Sequence, residues 1–203
     1  MRCYSITKDF DQNKIKEELG IEPKNYVLLF FGYVRKYKGL DLLIKAMPEI
    51  IRHKPSTTLM IVGEFYDEPK FYLDLINSLS LTDNIKVIND FVPNEEVEKY
   101  YRISDLVVLP YRSATQSGIL NMAYGFNKPV LVTNVGGLAE FVEDGVTGYI
   151  VEPDHPEKLS KGILRFFEEN DSINFEENIK NHIQLNSFGK IVQVFGQILN
   201  MKK

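Results

Sequence analysis

Short runs rich in apolar residues recur along the chain and are separated by longer amphipathic stretches. The runs cover residues 25–32, 57–63, 84–90, 105–110, 128–133 and 147–153. Apolar runs of this length, without regular polar alternation, are typical of strands that are buried on both faces, as in parallel sheets. The hydrophobic pattern therefore predicts six strands, of which those at 25–32 and 57–63 are expected to be buried on both faces.

Helical patterns lie between these strands and continue after the last one. They cover residues 10–20, 39–53, 68–81, 94–104, 117–126, 137–144, 155–170, 173–183 and 188–200, with Asp11, Asn94 and Ser117 as the predicted N-caps. Alternation of strands and helices predicts an α/β fold, with a mostly parallel six-stranded sheet, helices on both faces and additional C-terminal helices. No Pro/Gly/Ser-rich linker divides the chain. We therefore expect one Rossmann-like domain over 1–203, with a polar leader (1–20), a core (21–170) and a helical tail (171–203).

Composition narrows the classes of function and location. The 203 residues carry a formal net charge of −4, so bulk electrostatics favours neither nucleic acid nor an anionic membrane. Cys3 is the single cysteine, which excludes an intramolecular disulfide and fits a reducing compartment. The first residues lack the apolar core of a signal peptide, and no run of about 20 apolar residues exists. We expect a cytoplasmic protein with at most peripheral contact at the inner membrane face.

Ligands of parallel sheets bind beyond the carboxyl ends of the strands, which selects five loops. These are 32–39, 63–68, 89–94, 110–118 and 133–137. The first carries Arg35, Lys36 and Lys38 between two glycines. Arg can bind a diphosphate through paired hydrogen bonds and Lys can bind it as a point charge. We favour a phosphate site here over a merely solvated basic loop.

The start of the helix after the fourth strand is a second candidate. Gln116, Ser117, Gly118 and Ile119 form this start. Free backbone N–H groups and the helix dipole favour an anion there. A plain Ser117 N-cap explains the same residues equally well. The anion-site interpretation gains weight because this turn and the basic loop are expected at the same sheet edge.

The ends of the second and third strands are weaker candidates. Residues 62–64 and 90–93 could offer backbone groups and an apolar wall to a base or a sugar, and ordinary loops are an equal alternative. The pair Asp9 and Asp11 is interpreted as helix capping rather than as a metal site. The three histidines have no partner at metal spacing, and no Ser-His-Asp set, Cys-His set or P-loop is present. We therefore predict no metal and no cofactor.

Four segments together resemble the C-terminal domain of the retaining family 4 glycosyltransferases, which have the GT-B fold. The most specific is KPVLVTNVGGLAEFVEDGVTGYIVEPDHPEKLSKGI, residues 128–163. FGYVRKYKGLDLLIKA resembles the donor loop of that family, ISDLVVLPYR the strand before its sugar loop, and VINDFVPNEEV its base-side loop. The likeness covers roughly residues 20–168. It implies one half of a GT-B fold and a nucleotide-sugar donor as substrate.

The resemblance also implies site residues. Lys38 would contact the donor diphosphate, and Arg35 would replace the family's usual arginine, whose place is taken by Tyr33. Arg35 and Lys38 are thus the catalytic candidates. The implied donor-binding residues are Gly32, Gly63, Glu64, Phe91, Val92, Gln116, Ser117, Gly118 and Ile119, with Phe91 and Val92 flanking the base.

One departure from the family pattern concerns acidic residues. The family usually has two glutamates, eight residues apart, that face the donor sugar and the ribose. Their places here fall at Ala114 and Met122. The nearest polar residues are Gln116 and Asn121, and the resemblance then implies that Gln116 and Ser117 hold sugar and phosphate.

The function expected from the resemblance is donor binding in a retaining, metal-independent glycosyltransferase of surface polysaccharide or lipopolysaccharide biosynthesis. The N-terminal acceptor-binding domain of the family has no counterpart in the sequence, so we expect little or no transfer without it or a separate partner chain. Two alternatives remain: a non-catalytic nucleotide-sugar-binding subunit that needs a partner chain, and an enzyme similar to nucleotide-sugar epimerases.

Overall fold

A computed structural model describes residues 11–186, and these form six strands and seven α-helices. The strands are β1 (Tyr26–Phe31), β2 (Thr57–Val62), β3 (Ile85–Ile88), β4 (Leu106–Leu109), β5 (Val130–Thr133) and β6 (Gly148–Val151). The helices are α1 (Gln12–Glu18), α2 (Leu40–His53), α3 (Pro69–Ser78), α4 (Asn94–Ile103), α5 (Gly118–Gly125), α6 (Pro156–Glu169) and α7 (Phe175–Asn186). The predicted helix at 188–200 lies outside the described residues, as do Cys3 and Asp9.

All six strands belong to one sheet with the order β3-β2-β1-β4-β5-β6, and every pairing is parallel. This confirms the predicted α/β class. The strand order reverses between β1 and β4, which are neighbours although β2 and β3 separate them in the sequence. In open α/β sheets, ligands bind at such a switch point. The loops that follow β1 and β4 are therefore the first place to look for a site.

The core lies on both faces of the sheet. Every residue of β2, β4 and β5 is buried, and β1 is buried after its first residue. Since successive side chains of a strand point to opposite faces, burial of all of them means that helices cover both faces. Among these helices α2 packs against α6, α1 against α4 and α5 against α7. The continuous apolar runs of the sequence are explained by this two-sided cover.

Two predictions about helices were wrong. Asn94 is the first residue of α4 rather than its N-cap, which is Pro93, because the extended ψ of 147° at Pro93 sets the turn into the helix. Residues 137–144 form only a single 3₁₀ turn at Ala139–Phe141. That helix does not continue because Val142 is extended and the Glu143 N–H is taken by the Thr147 hydroxyl oxygen at 3.0 Å. The other two predicted caps, Asp11 and Ser117, are N-caps in the structure.

Candidate functional site

The loop after β1 (residues 32–39, the β1 loop) and the loop after β4 (residues 110–117, the β4 loop) are in direct backbone contact. The Arg112 N–H donates a hydrogen bond to the Tyr37 carbonyl at 2.7 Å. A Cβ atom added to Gly39 would lie 2.0 Å from the carbonyl oxygen of Pro110, and Gly39 has a φ of +68°. Only glycine tolerates both the positive φ and the close contact, so Gly39 is the residue that allows the two loops to approach each other.

The side chain of Arg112 fastens the two loops to the start of α2. Its guanidinium donates to both carboxylate oxygens of Asp41, at 2.8 and 2.9 Å, and to the Lys36 carbonyl at 2.9 Å. A third carboxylate contact joins its Nε to Asp154 at 3.0 Å. Burial alone raises the pKa of Asp41, but the hydrogen bonds and charge of Arg112 outweigh burial and lower that pKa. The paired geometry makes this a strong ion pair.

A cavity of about 830 Å³ lies between the two loops. Its lining residues are Tyr37, Lys38, Tyr111, Arg112, Ser113, Ala114, Thr115, Gln116, Ser117, Gly118, Ile119, Met122, Val135 and Gly136. Of these described residues two are cationic and none is Asp or Glu. The volume is in the range of small-molecule sites, and the lining favours an anionic ligand over a cationic one.

Of the two cationic residues that line this cavity, Arg112 is paired with carboxylates, whereas Lys38 has no counter-ion among residues 11–186. Its side chain is 7% exposed, and no salt bridge or hydrogen bond of its ammonium is found within residues 11–186. The Nζ atom lies 5.7 Å from the centre of the Tyr111 ring. Burial, and secondarily the charge of Arg35, lowers the pKa of Lys38 to about 8. A buried ammonium without a carboxylate is stabilised when an anion binds beside it.

The start of α5 offers hydrogen-bond donors to the same cavity. Ser117 is the N-cap, but its side chain makes no capping hydrogen bond. Within the described part of the chain, the N–H groups of Gly118, Ile119 and Leu120 have no partner. These donors and the helix dipole form an anion-binding end.

Gly32 is the point where Lys38 and α5 meet. A Cβ atom at Gly32 would lie 3.2 Å from the Lys38 Nζ and 3.1 Å from the Ile119 Cδ1. The structure thus brings the basic β1 loop and the helix start together at one rim of the sheet, as the sequence predicted for these two turns.

A smaller cavity of about 110 Å³ lies next to Gly32 at the ends of β1, β2 and β3. Its lining residues are Phe31, Gly32, Tyr33, Gly63, Glu64, Asp90, Phe91 and Val92. Gly63 has a φ of +134°, and a Cβ atom there would lie 2.6 Å from the Gly32 carbonyl oxygen. Phe91 is 62% exposed and lines this cavity. The structure therefore groups Gly63, Glu64, Phe91 and Val92 around one cavity, and their contact with a nucleotide stays a prediction.

Arg35 is separated from this group. Its guanidinium lies over the Tyr66 ring, 4.2 Å from the ring centre, and it lines neither of the two cavities. Its predicted contact with a diphosphate stays a prediction. Ala114 and Met122, the places of the family's glutamates, both line the larger cavity, whereas Asn121 does not.

The sequence analysis did not name seven of the lining residues individually: Tyr37, Tyr111, Arg112, Ser113, Thr115, Val135 and Gly136. A Cβ atom at Gly136 would lie 1.8 Å from the Ala114 carbonyl oxygen, and its φ is +48°, so a glycine is required where the loop after β5 crosses the β4 loop. The Gly-Gly pair at 136–137 was a possible signal for that crossing. The partners of Arg112 are distant in the sequence and left no local signal.

Among residues 11–186, no group of three or more His, Cys, Asp and Glu side chains is arranged to hold a metal ion. The helices of that part of the chain are too short or too polar to cross a bilayer.

Comparison with known families and proteins gives a consistent result. The model of the family described as glycosyl transferases group 1 matches residues 11–184. The D-inositol 3-phosphate glycosyltransferase of Segniliparus rotundus is 32% identical over 151 residues, covering 73% of this chain and 33% of that protein. An uncharacterized glycosyltransferase of Methanocaldococcus jannaschii is 30% identical over 165 residues, covering 77% of this chain and 41% of that protein. The chain thus spans about a third to two fifths of the length of these curated relatives.

Solved structures show the same fold at lower sequence identity. Anabaena HepE in complex with UDP has a TM-score of 0.80 at 23% identity, covering 96% of this chain and 54% of that one. WaaG, a glycosyltransferase involved in lipopolysaccharide biosynthesis, has a TM-score of 0.75 at 23% identity, covering 91% and 49%. The C-terminal domain of LpcC from Francisella tularensis has a TM-score of 0.76 at 20% identity, covering 88% and 93%. The fold is therefore that of the Rossmann-like half of a GT-B glycosyltransferase.

Proposed function

The chain belongs to the group 1 glycosyltransferases, and we propose on this premise that it is the donor-binding half of a retaining, metal-independent enzyme. The donor would be a nucleoside diphosphate sugar, and the acceptor would belong to surface polysaccharide or lipopolysaccharide biosynthesis. HepE, which has been solved with UDP and with UDP-glucose, and WaaG support the donor class and the pathway class respectively.

One observation carries the proposal. Within residues 11–186, the ammonium of the buried Lys38 side chain has no counter-ion and the first N–H groups of α5 have no partner. Both lie at a cavity whose described lining has no carboxylate. A diphosphate satisfies both groups at once. The cavity of about 830 Å³ has room for the diphosphate and a sugar, and the neighbouring cavity at Phe91 and Val92 would take the base.

In the proposed reaction, the bond between the anomeric carbon and the diphosphate oxygen breaks, and the electron pair leaves with the diphosphate. Lys38 and the N–H groups of Gly118 and Ile119 stabilise the negative charge that develops on this leaving group. Each preorganised donor of this kind contributes about 3–4 kcal/mol to transition-state stabilisation in enzymes where it has been measured. The acceptor oxygen then bonds to the same face of the anomeric carbon, and the departing phosphate oxygen can take the acceptor proton.

Calorimetric titration of the 203-residue chain with UDP, GDP, UDP-glucose and GDP-mannose tests the donor site. We expect one nucleotide series to bind, and Lys38→Met to weaken that binding about 10- to 100-fold, because a hydrogen bond to a charged group is lost. Lys36→Met is the matched control, since Lys36 is exposed, belongs to the same turn and does not line the larger cavity. We expect it to change the dissociation constant less than about threefold. Absence of binding by all four ligands would contradict the proposal.

A non-catalytic nucleotide-sugar-binding subunit is the second candidate, and membership of the group 1 glycosyltransferases favours it over an epimerase-like enzyme. Both the half-enzyme and the subunit bind the donor, so transfer distinguishes them. Addition of the N-terminal domain of the relative from Segniliparus rotundus should produce sugar transfer or donor hydrolysis if the chain is half of an enzyme. Bound donor that stays intact under these conditions would favour the subunit.

A further inference from the structure

We infer that Tyr111 is a positioning residue, which draws the Ser117 side chain away from α5 and so keeps the first N–H groups of that helix open for an anion. This inference rests on the proposed function, because the anion is the diphosphate of the donor. It assigns a role to a buried side chain that touches both anion-binding elements of the larger cavity.

The first observation is that the side chain of Ser117, the N-cap residue of α5, makes no capping hydrogen bond. Ser117 has the extended backbone of an N-cap, with φ −135° and ψ 118°, and serine is among the strongest capping residues. Its hydroxyl would ordinarily accept a hydrogen bond from the second or third N–H of the helix. Here it makes no such bond, and its oxygen lies 3.5 Å from the Tyr111 hydroxyl oxygen, a contact longer than the usual O–H···O hydrogen bond of about 2.5–3.0 Å.

The second observation is that Tyr111 is held firmly in place. It is 3% exposed, its ring packs edge-on against Tyr37 with ring centres 6.0 Å apart, and its carbonyl accepts a hydrogen bond from the Thr133 hydroxyl. Burial raises the pKa of Tyr111 to about 12, so its hydroxyl keeps its proton at physiological pH. A fixed, protonated hydroxyl is a constant partner for the Ser117 oxygen.

The third observation links Tyr111 to the other anion-binding element. The Lys38 Nζ lies 5.7 Å from the centre of the Tyr111 ring, within the distance of a cation–π contact. The ring therefore faces Lys38 while the hydroxyl faces Ser117. Replacement of the hydroxyl alone leaves the ring contact intact, which makes Tyr111→Phe a selective test.

Tyr111→Phe should have opposite effects on binding and stability. Without the tyrosine hydroxyl, the Ser117 side chain is free to cap α5 and competes with the ligand. We expect the dissociation constant for UDP to rise about fivefold, which is the equivalent of one capping hydrogen bond. The same bond should raise the melting temperature by about 2–4 °C. A merely structural role of Tyr111 would lower stability and affinity together.

A ligand-free measurement tests the same inference directly. We expect the amide of Leu120, the third N–H of α5, to exchange rapidly with solvent in the wild-type chain and to become protected in Tyr111→Phe. If the wild type binds neither UDP nor pyrophosphate, the proposed function fails, but the Leu120 exchange still decides the role of Tyr111. Unchanged Leu120 exchange in Tyr111→Phe would overturn the inference even if UDP binds.

Two further variants complete the test. Tyr124→Phe is the matched control, because Tyr124 is a buried tyrosine on α5 whose hydroxyl bonds to Phe141 and Thr147 away from the cavity. It should lower the melting temperature and leave the UDP dissociation constant unchanged. In a Ser117→Ala background no hydroxyl can cap, so Tyr111→Phe should then have no effect on UDP affinity. An equal loss of affinity in both backgrounds would contradict the inference.

Discussion

Residues 11–25, the N-terminal corner, and the candidate site each contain a helix start and a buried lysine. The two regions differ in whether these groups have hydrogen-bond partners within the described part of the chain. Asp11 caps α1 by accepting hydrogen bonds from the N–H groups of Asn13 and Lys14, at 3.0 and 3.2 Å. Lys16 is 8% exposed and donates to two backbone carbonyls. At the candidate site Ser117 does not cap α5, and Lys38, 7% exposed, has no partner in the described part of the chain.

The difference separates a structural corner from a binding site. In the N-terminal corner the Asp11 carboxylate and the Lys16 ammonium have hydrogen-bond partners within the protein, so they contribute to stability. At the candidate site the same kinds of group have no partner within the described part of the chain and line the larger cavity, where water or a ligand must satisfy them. A cation and helix N–H groups that line one cavity without protein partners can bind an anion without first breaking hydrogen bonds within the protein. The comparison therefore supports a diphosphate site more strongly than the positive charge of the β1 loop alone does.

Ser117→Asp should turn the start of α5 into a copy of the start of α1, with the largest effect on binding. The new carboxylate would cap the helix and repel the diphosphate at close range. We expect UDP affinity to fall by more than about 30-fold while stability rises. Calorimetry and urea denaturation measure the two effects. Retention of UDP binding by this variant would place the anion elsewhere.

Removal of each buried lysine should change stability in opposite directions. Lys16→Met leaves the carbonyls of Pro23 and Asn25 without their donor, and we expect it to cost about 1–3 kcal/mol of unfolding free energy. Lys38→Met removes a desolvated charge without a partner and should stabilise the ligand-free chain. Urea denaturation of both variants checks this. A loss of stability in Lys38→Met would show that Lys38 is satisfied within the protein.

The pH dependence of UDP binding should follow Lys38. Its pKa of about 8 means that the ammonium is present at pH 7 and mostly lost at pH 9. The terminal phosphate of UDP is already ionised above pH 7, so its charge does not change in this range. We expect affinity to fall about tenfold from pH 7 to pH 9, and the pH dependence to disappear in Lys38→Met. A wild-type affinity that is constant over this range would contradict the role of Lys38.

The smallest expected effect concerns the two helix caps. Asp11→Ala should lower the unfolding free energy by about 1 kcal/mol, because two hydrogen bonds to the start of α1 are lost. Ser117→Ala should change it by only a few tenths of a kcal/mol, since no capping bond exists there. Equal losses in the two variants would show that Ser117 caps α5 in solution.

The strands and the binding edge could be predicted from the sequence because both depend on local patterns. Buried strands produce continuous apolar runs, and their order of alternation with helices selects a parallel sheet. The helix predicted at 137–144 was wrong because a local hydrogen bond, from the Glu143 N–H to the Thr147 side chain, competes with helical hydrogen bonding there. The individual site residues within the candidate loops were predicted from the family resemblance more than from the hydrophobic pattern of the loops.

The partners of the site's charges could not be predicted, since they depend on contacts between distant residues. Arg112 and Asp41 are 71 residues apart, yet their ion pair fastens the β4 loop to the start of α2. Arg35 and Lys38 have similar sequence surroundings, but the 3₁₀ turn at Lys36–Lys38 directs only Lys38 into the larger cavity. The 3₁₀ turn, and not the spacing of the charges in the sequence, therefore determines that Lys38 rather than Arg35 is buried at the cavity.

The central claim is that Lys38 and the start of α5 bind one and the same anion. Nuclear magnetic resonance titration of the labelled chain with UDP measures this directly, through the side-chain nitrogen of Lys38 and the amides of Gly118 and Ile119. The account predicts that all three signals shift with a single dissociation constant and that the Lys38 pKa rises on binding. A shift at Lys38 without one at the two amides, or the reverse, would contradict it.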